Sequence, residues 1–98
     1  MRRGELWAYA PKGMPRQRQL VIVSSDGIND SARTWLLAVE VVNDDPGDIL
    51  AVHVPDLGWV YAGSVSRAYR DWLTERLDQL APETMESIDT ALRAALDL

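Results

Sequence analysis

The sequence predicts a mainly β fold with helices, a small barrel of five or six short strands followed by a C-terminal amphipathic helix. Short apolar runs rich in β-branched residues recur along the first seventy positions, and clusters of Gly, Pro, Asp and Asn separate them. From Pro82 onward, apolar side chains instead recur at helical spacing. A chain of 98 residues has room for one hydrophobic core, so we expect one domain over residues 1–98.

The first two strands are expected on either side of a loop. Residues 5–10 alternate with a period of two, which indicates a strand. Two prolines and a glycine at Pro11, Gly13 and Pro15 interrupt that pattern. Residues 19–24 contain the run Leu-Val-Ile-Val, which is typical of a strand buried on both faces. We therefore expect this second strand near the centre of the sheet.

Turn-forming residues divide the middle of the chain into three further strands. These turns are predicted at 26–31, 43–47 and 55–58, and the strands between and after them at 34–42, 49–54 and 59–69. Gly63 is expected to interrupt the last of these strands.

The pattern over residues 70–80 fits two structures. Three leucines have helical spacing there, but the same segment also alternates as an edge strand would. The following helix is clearer, because Pro82 suits a first helical turn and Glu83 suits its positive N-terminal end. One apolar stripe follows, formed by Met85, Ile88, Leu92, Ala95 and Leu96.

Composition excludes several classes of protein. Apolar residues make up 47% and charged residues 26% of the chain, as in ordinary globular proteins rather than disordered ones. There is no cysteine, so a disulfide framework and thiolate chemistry are excluded. No apolar run reaches the roughly 18 residues that a membrane span needs, and no signal core follows the first residues. We expect a cytoplasmic protein that does not associate with membranes.

The net charge of −5 argues against a general nucleic-acid coat, but the charges are unevenly distributed. Residues 2–18 hold five basic side chains and one acidic side chain, whereas residues 71–98 hold seven acidic and two basic ones. Nine of the ten basic residues are arginine, which suits forked contacts to phosphate or carboxylate groups. The chain contains no P-loop, dinucleotide fingerprint or metal-ligand spacing, so neither a cofactor nor a metal is expected.

Three segments carry motifs of a known family. The opening Arg3-Gly4-Glu5-Leu6-Trp7 is similar to an RGE-hydrophobic-W start, residues 18–26 (RQLVIVSSD) resemble RPVLVVSND, and residues 76–98 match an R-hydrophobic-x-x-L-x-PE-x-M-x-x-hydrophobic-D-x-AL ending. In this order and spacing they resemble the MazF/PemK family of toxins from type II toxin–antitoxin systems. The resemblance implies an SH3-like barrel of the MazF/CcdB type, with about five to seven short strands, and makes residues 74–80 a strand.

The resemblance also implies a function. Members of this family are sequence-specific endoribonucleases (mRNA interferases) that cleave single-stranded RNA without metal, leaving a 2′,3′-cyclic phosphate, and a cognate antitoxin inhibits them. It further implies a homodimer whose paired first loops form a basic groove.

The chain departs from the family pattern at four places. Gln19 replaces a proline, and the first loop lacks a Ser-Glu-Gln stretch. The third strand offers Val39-Glu40-Val41 where family members carry a Thr or Ser, and Gly63-Ser64-Val65-Ser66 replaces a DQ-hydrophobic-R/K pattern. These departures affect the chemistry of the site more than the fold.

Three residues are candidates for catalysis. Arg18 matches the family's loop arginine and would stabilise charge on a phosphorane, although it could also form a surface ion pair. Ser24 could supply the missing hydroxyl if it lay beside Arg18, or it could cap a turn. Glu40, a carboxylate within an apolar strand, could be a general base or could face outward to solvent.

Three basic residues are candidates for RNA binding. Lys12 and Arg16 share the first loop and could follow an RNA backbone, and Arg67 could contact phosphate near the end of the last long strand. Arg70 could do the same or could neutralise nearby carboxylates. His53 is the only histidine and could shuttle protons or could simply be a strand residue. Trp and Tyr side chains could stack on bases or belong to the core.

Three functions therefore remain open. The first is a toxin-type endoribonuclease. The second is a catalytically silent RNA- or protein-binding module on the same barrel, which the missing hydroxyl favours. The third is a CcdB-like gyrase inhibitor, which the ending Ala95-Leu96-Asp97-Leu98 disfavours because it lacks the Trp-Gly-Ile of that class.

Overall fold

The computed structural model of the chain describes residues 1–14 and 16–98, so Pro15, one of the predicted loop-breaking residues, lies outside the described residues. Strands dominate it. They are β1 (Glu5–Tyr9), β2 (Arg18–Ile22), β3 (Trp35–Val42), β4 (Ala51–Val54), β5 (Gly58–Tyr69) and β6 (Leu73–Gln79). The helices are a single turn α1 (Asp26–Asn29) and the long α2 (Pro82–Leu96), and a 3₁₀ turn covers Arg70–Trp72.

The strands form one antiparallel sheet in the order β4-β5-β3-β2-β1-β6. The predicted fold class, mainly β with a terminal helix, is confirmed. The second strand lies inside the sheet, as its apolar run predicts, and Leu20, Val21 and Ile22 are all buried. Strands β4 and β6 are the two edges, so the barrel is an open one.

The ambiguous segment 70–80 is resolved by pairing with β1. After the 3₁₀ turn, β6 runs antiparallel to β1 with Leu73 opposite Tyr9 and Gln79 opposite Glu5. Leu73 is buried, whereas the residues from Thr74 to Gln79 are exposed. Pairing with β1 satisfies the backbone hydrogen bonds of β6, so this segment is a strand, which periodicity alone could not decide. The strand implied by the family resemblance is confirmed.

The two faces of the sheet carry separate cores. The aromatic face is built on Tyr9, Leu20, Ile22, Leu36, Ala38, Ala68 and Leu73, with Trp7 and Trp72 packed against them. The helix face is built on Leu6, Val21, Val39, Val60, Leu80 and Ile88. Alternation along each strand sends successive side chains to opposite cores, so both faces of the central strands are apolar.

A wide bulge in β5 bends the sheet beside β3. Ala38 lies opposite Ser66 but Glu40 lies opposite Tyr61, so one intervening residue of β3 faces four of β5. Gly63 lies in this bulge, and a Cβ there would meet the Tyr61 ring at 2.5 Å. The predicted interruption at Gly63 is therefore confirmed. The bulge also lets the backbone N–H of Glu40 donate to Ser64 Oγ at 2.8 Å.

Helix α2 begins at Pro82, as predicted, and ends at a left-handed cap at Asp97, where φ is 56°. Ile88 is fully buried, and Met85 and Leu92 pack around it. The last members of the predicted stripe, Ala95 and Leu96, are helical but exposed in the single chain. The helix runs past the sheet that its earlier turns cover. In the part of the chain that the structure describes, no helix is long and apolar enough to cross a membrane.

Candidate active site

Arg18 is the first residue of β2 and lies opposite Tyr9 on β1. Its guanidinium carbon is 5.4 Å from the centroid of the Tyr9 ring, and that ring is 4% exposed. A cation over a buried aromatic face is held by the quadrupole of the ring. The pairing of the first two strands therefore holds the Arg18 guanidinium against the Tyr9 ring.

Glu40 approaches Arg18 from the next strand. Glu40 lies opposite Leu20 in the β2–β3 ladder, so these two side chains project on the same face. Arg18 is two residues before Leu20 on β2 and therefore shares that face. Arg18 Nη1 and Glu40 Oε2 are 3.8 Å apart, and the two side chains are 41% and 34% exposed. Glu40 is thus a half-buried neighbour of Arg18, and not simply a solvent-facing residue.

The pair lies in an open groove of about 710 Å³, which we call the Arg18 groove, within the size range of small-ligand clefts. The first loop, β3 and the edge strand β6 supply its walls, which are formed by Ala8, Met14, Arg16, Gln17, Arg18, Gln19, Glu40, Val41, Val42, Asn43, Asp44, Glu75 and Leu77.

The Arg18 groove of a single protomer is not basic. Two arginines, Arg16 and Arg18, face three carboxylates, Glu40, Asp44 and Glu75. One protomer thus offers no net positive charge to a phosphate backbone. Asp44 and Glu75 were missed by the sequence reasoning, because only the folding of the β3 end and of β6 around the first loop brings them here.

The barrel does not bring Ser24 beside Arg18. Ser24 follows Arg18 by six residues, which is about 20 Å at the rise of a strand. It is buried, with 3% of its surface exposed. Its hydroxyl donates to Asn29 Oδ1 and accepts from the backbone N–H of Leu37 at 3.2 Å. Asn29 Nδ2 in turn donates to the Ser24 carbonyl at 3.0 Å. The Ser24 hydroxyl thus uses both its donor and its acceptor to hold the α1 turn against β3.

The remaining sequence candidates are distributed over the surface. Arg16 lines the Arg18 groove, and Lys12 is exposed in the same loop. Arg67 lies at the other end of the sheet, with its guanidinium carbon 4.6 Å from the Trp35 ring centroid. His53 is exposed on the edge strand β4, where its ring lies 4.8 Å from that of Trp59.

Two other charged groups have structural roles that the sequence did not reveal. Arg70 donates from Nε to the carbonyl of Arg33 at 2.6 Å and from Nη2 to that of Ile28 at 2.8 Å. Buried Glu5 accepts from Trp7 Nε1 at 3.0 Å and from Arg76 Nε at 2.9 Å. No local pattern marks the contacts of Arg70 or the contact of Glu5 with Arg76, because these partners are separated by dozens of residues.

The pKa of Glu5 reflects this environment. Burial disfavours the charged form and would raise the pKa of Glu5. Hydrogen bonds from Trp7, the Arg2 N–H and Arg76, together with the positive charge of the N-terminus, outweigh that effect. The pKa of Glu5 therefore lies below its usual value. No three His, Asp or Glu side chains within residues 1–14 and 16–98 are grouped so that they could hold a metal ion.

Comparison with known proteins gives a fold match over the whole chain. No family model and no curated protein sequence matches. Among solved structures, a mycobacterial endoribonuclease in complex with its cognate antitoxin is 25% identical at a TM-score of 0.89, covering 100% of this chain and 96% of that one. A mycobacterial endoribonuclease is also 25% identical at 0.85, covering 100% and 92%.

A third structure comes from another organism. The MazE–MazF complex of Deinococcus radiodurans is 18% identical, with a TM-score of 0.86, and covers 100% of this chain and 96% of that one. It shares the fold. These matches, which run from end to end, show that the chain has the fold of MazF toxins and of MazE–MazF complexes, and the three segments quoted above resemble the same family.

Proposed function

We propose that the protein is a toxin-type, sequence-specific endoribonuclease that cleaves single-stranded RNA without a metal ion. The observation that carries this proposal is the Arg18–Glu40 pair, a cation and a carboxylate 3.8 Å apart in an open groove. Its fold is the one found in two endoribonucleases from mycobacteria. The product would carry a 2′,3′-cyclic phosphate.

In this reaction the 2′-oxygen attacks the adjacent phosphorus and the 5′-oxygen of the next nucleotide leaves. Glu40 would accept the proton of the 2′-hydroxyl, a role supported by its half-buried carboxylate. Arg18 would bind two phosphate oxygens and stabilise the extra charge of the phosphorane. The weak contact between them leaves both free to turn toward a substrate.

Protonation of the leaving oxygen is the step with the least support from the chain. The described lining of the groove contains no hydroxyl, imidazole or ammonium group. Arginine is a poor proton donor because its guanidinium group holds its proton tightly. We infer that water entering the open groove protonates the leaving oxygen, which makes cleavage slower than with a positioned acid.

The partners follow from the same proposal. One mycobacterial neighbour is an endoribonuclease bound to its cognate antitoxin, and the Deinococcus structure is a MazE–MazF complex. We propose that an antitoxin likewise inhibits this protein, and that two protomers associate so that their first loops face a shared RNA path.

The test is cleavage of a mixed-sequence RNA in the presence of EDTA. The wild-type protein should produce fragments with 2′,3′-cyclic phosphate ends, and Arg18→Ala should abolish them. Arg93→Ala is the matched control, since it removes an exposed arginine from α2, away from the groove. Cleavage by Arg18→Ala at the wild-type rate would contradict the site, and fragments with other ends would contradict the reaction.

A catalytically silent RNA-binding module is a second candidate, favoured by the hydroxyl-free lining of the groove. It predicts a salt-dependent complex with RNA and intact RNA after long incubation. Detection of any cyclic-phosphate product that Arg18→Ala lacks would exclude it.

A further inference from the structure

A cluster of two arginines and two aromatic residues lies at the far end of the sheet from the Arg18 groove. The guanidinium carbons of Arg33 and Arg67 are 5.8 Å and 4.6 Å from the ring centroid of the same residue, Trp35. Tyr69 lies directly opposite Trp35 in the β3–β5 ladder and is 41% exposed. We call these four residues the Trp35 cluster.

The cluster lies apart from the Arg18 groove. Trp35 and Glu40 are five residues apart on β3, about 17 Å along the strand. None of the four cluster residues lines the groove.

The two arginines of the cluster are free of carboxylate partners within the described residues. Arg2, Arg3, Arg18 and Arg76 each have an Asp or Glu within 4.0 Å, and Arg70 is used by backbone carbonyls. Neither Arg33 nor Arg67 has such a contact in residues 1–14 and 16–98. Two cations held over one ring without counter-charges form a concentrated positive site.

We propose that the Trp35 cluster is a second contact surface for single-stranded RNA. The guanidinium groups of Arg33 and Arg67 would bind two backbone phosphates. Tyr69, whose ring packs edge-on to Trp72 at 5.2 Å and which is 41% exposed, would stack on a base. An arginine stacked on an aromatic ring is rigid and planar, so less entropy is lost when it binds phosphate. The proposal rests on the proposed function for its choice of RNA as the ligand.

The charge balance of the groove supports this surface. Because the Arg18 groove opposes two arginines with three carboxylates, it supplies little of the phosphate attraction on which RNA affinity depends. A site with two cations and no paired carboxylate would supply that attraction. The groove would then position the scissile phosphate while the cluster retains the strand.

The test is a binding experiment that does not require cleavage. A fluorescent twelve-nucleotide RNA with 2′-O-methyl groups cannot be cut by the proposed reaction, and its anisotropy reports binding. Binding is measured between 50 and 200 mM KCl, because over this range a protein with six phosphate contacts loses about 10³-fold in affinity. Loss of two phosphate contacts should lower the slope of log affinity against log salt by about 1.4. We expect this change for Arg33→Gln/Arg67→Gln.

The control removes the same charge elsewhere. Arg2→Gln/Arg93→Gln alters two exposed arginines outside the cluster and should leave the slope within about 0.3 of the wild-type value. Such a change is smaller than the change of about 0.7 in slope expected for the loss of one phosphate contact. Tyr69→Leu should weaken binding about tenfold or more, whereas Tyr69→Phe should not, because only the first removes a stacking ring. Thermal melting checks that each variant is folded.

Equal slopes for the two double variants would overturn the proposal. It would also be overturned if an acidic peptide of equal charge displaced the probe and bound more tightly than RNA, since the cluster would then be a protein-binding surface. Neither result depends on Arg18 or on cyclic-phosphate formation, so failure of the cluster is distinguishable from failure of the proposed nuclease.

Discussion

Arg18 Nη1 lies 3.8 Å from Glu40 Oε2, across two strands that a turn and a short helix separate in the chain. The β2–β3 register produces this contact, since Leu20 lies opposite Glu40 and Arg18 projects on the same face. Both side chains are more than a third exposed, so the pair contributes only about 0–1 kcal/mol to stability. The pair therefore does little to hold the fold.

Glu40→Gln should separate catalysis from binding. The amide keeps the shape of the side chain but cannot accept the 2′-hydroxyl proton, so single-turnover cleavage should fall by about 10² to 10⁴-fold. RNA affinity should stay equal or increase, because a negative charge leaves the groove. Glu83→Gln, on the exposed start of α2, makes the same charge change outside the groove and should cleave normally. A Glu40→Gln variant with the wild-type cleavage rate would remove Glu40 as the base.

Glu5 should make stability depend on acid. Its pKa is lowered in the folded protein, so it binds protons more weakly there than in the unfolded chain. Its contribution is present above the ordinary glutamate pKa of about 4.3 and is lost as pH falls through the lower folded value. Urea unfolding from pH 7 to pH 3 should show this loss. Glu5→Gln should be less stable at pH 7 and should lose less on acidification; parallel pH profiles for the two proteins would disprove the linkage.

Gly58 is expected to be the glycine least tolerant of substitution. Its φ is 128°, and a Cβ would lie 2.5 Å from the carbonyl oxygen of Val42. Gly58→Ala should cost about 3 kcal/mol or more, because strain adds to a clash with backbone. Gly47→Ala is the control: φ is 68° there, but no atom lies within 4 Å, so the cost should be about 1 kcal/mol. Equal urea midpoints for the two variants would contradict this difference.

Arg70 should stabilise the segment between β2 and β3. Its guanidinium donates to the carbonyls of Ile28, Ser31 and Arg33 at once, which the single ammonium of lysine cannot reproduce. Arg70→Lys should lose about 1–3 kcal/mol and increase amide hydrogen exchange across residues 24–34. Arg93→Lys, on the exposed part of α2, should change neither quantity. Unchanged exchange in residues 24–34 of Arg70→Lys would show that these hydrogen bonds do not hold the segment.

Much of the fold was predictable because it depends on local pattern. The apolar run of Leu20, Val21 and Ile22 predicts an interior strand, and Pro82 marks the start of the helix. Residues 70–80 were not predictable from periodicity, because an exposed edge strand carries few apolar side chains and its pairing with β1 is non-local. The helical spacing of α2 was predictable to Leu96, but which of its turns the sheet covers was not, because apolar spacing does not show where the sheet beneath a helix ends.

The sequence by itself determined the strands, the turns, the terminal helix and the resemblance of three segments to a toxin family. These follow from side-chain periodicity and from motifs that are contiguous in the chain. Only the tertiary structure decided that Glu40 faces Arg18, that Ser24 is committed to Asn29, and that Arg33 and Arg67 share one ring. Each of these is a contact between distant segments, fixed by strand register and by the β5 bulge, and register is a property of the paired sheet rather than of any one strand.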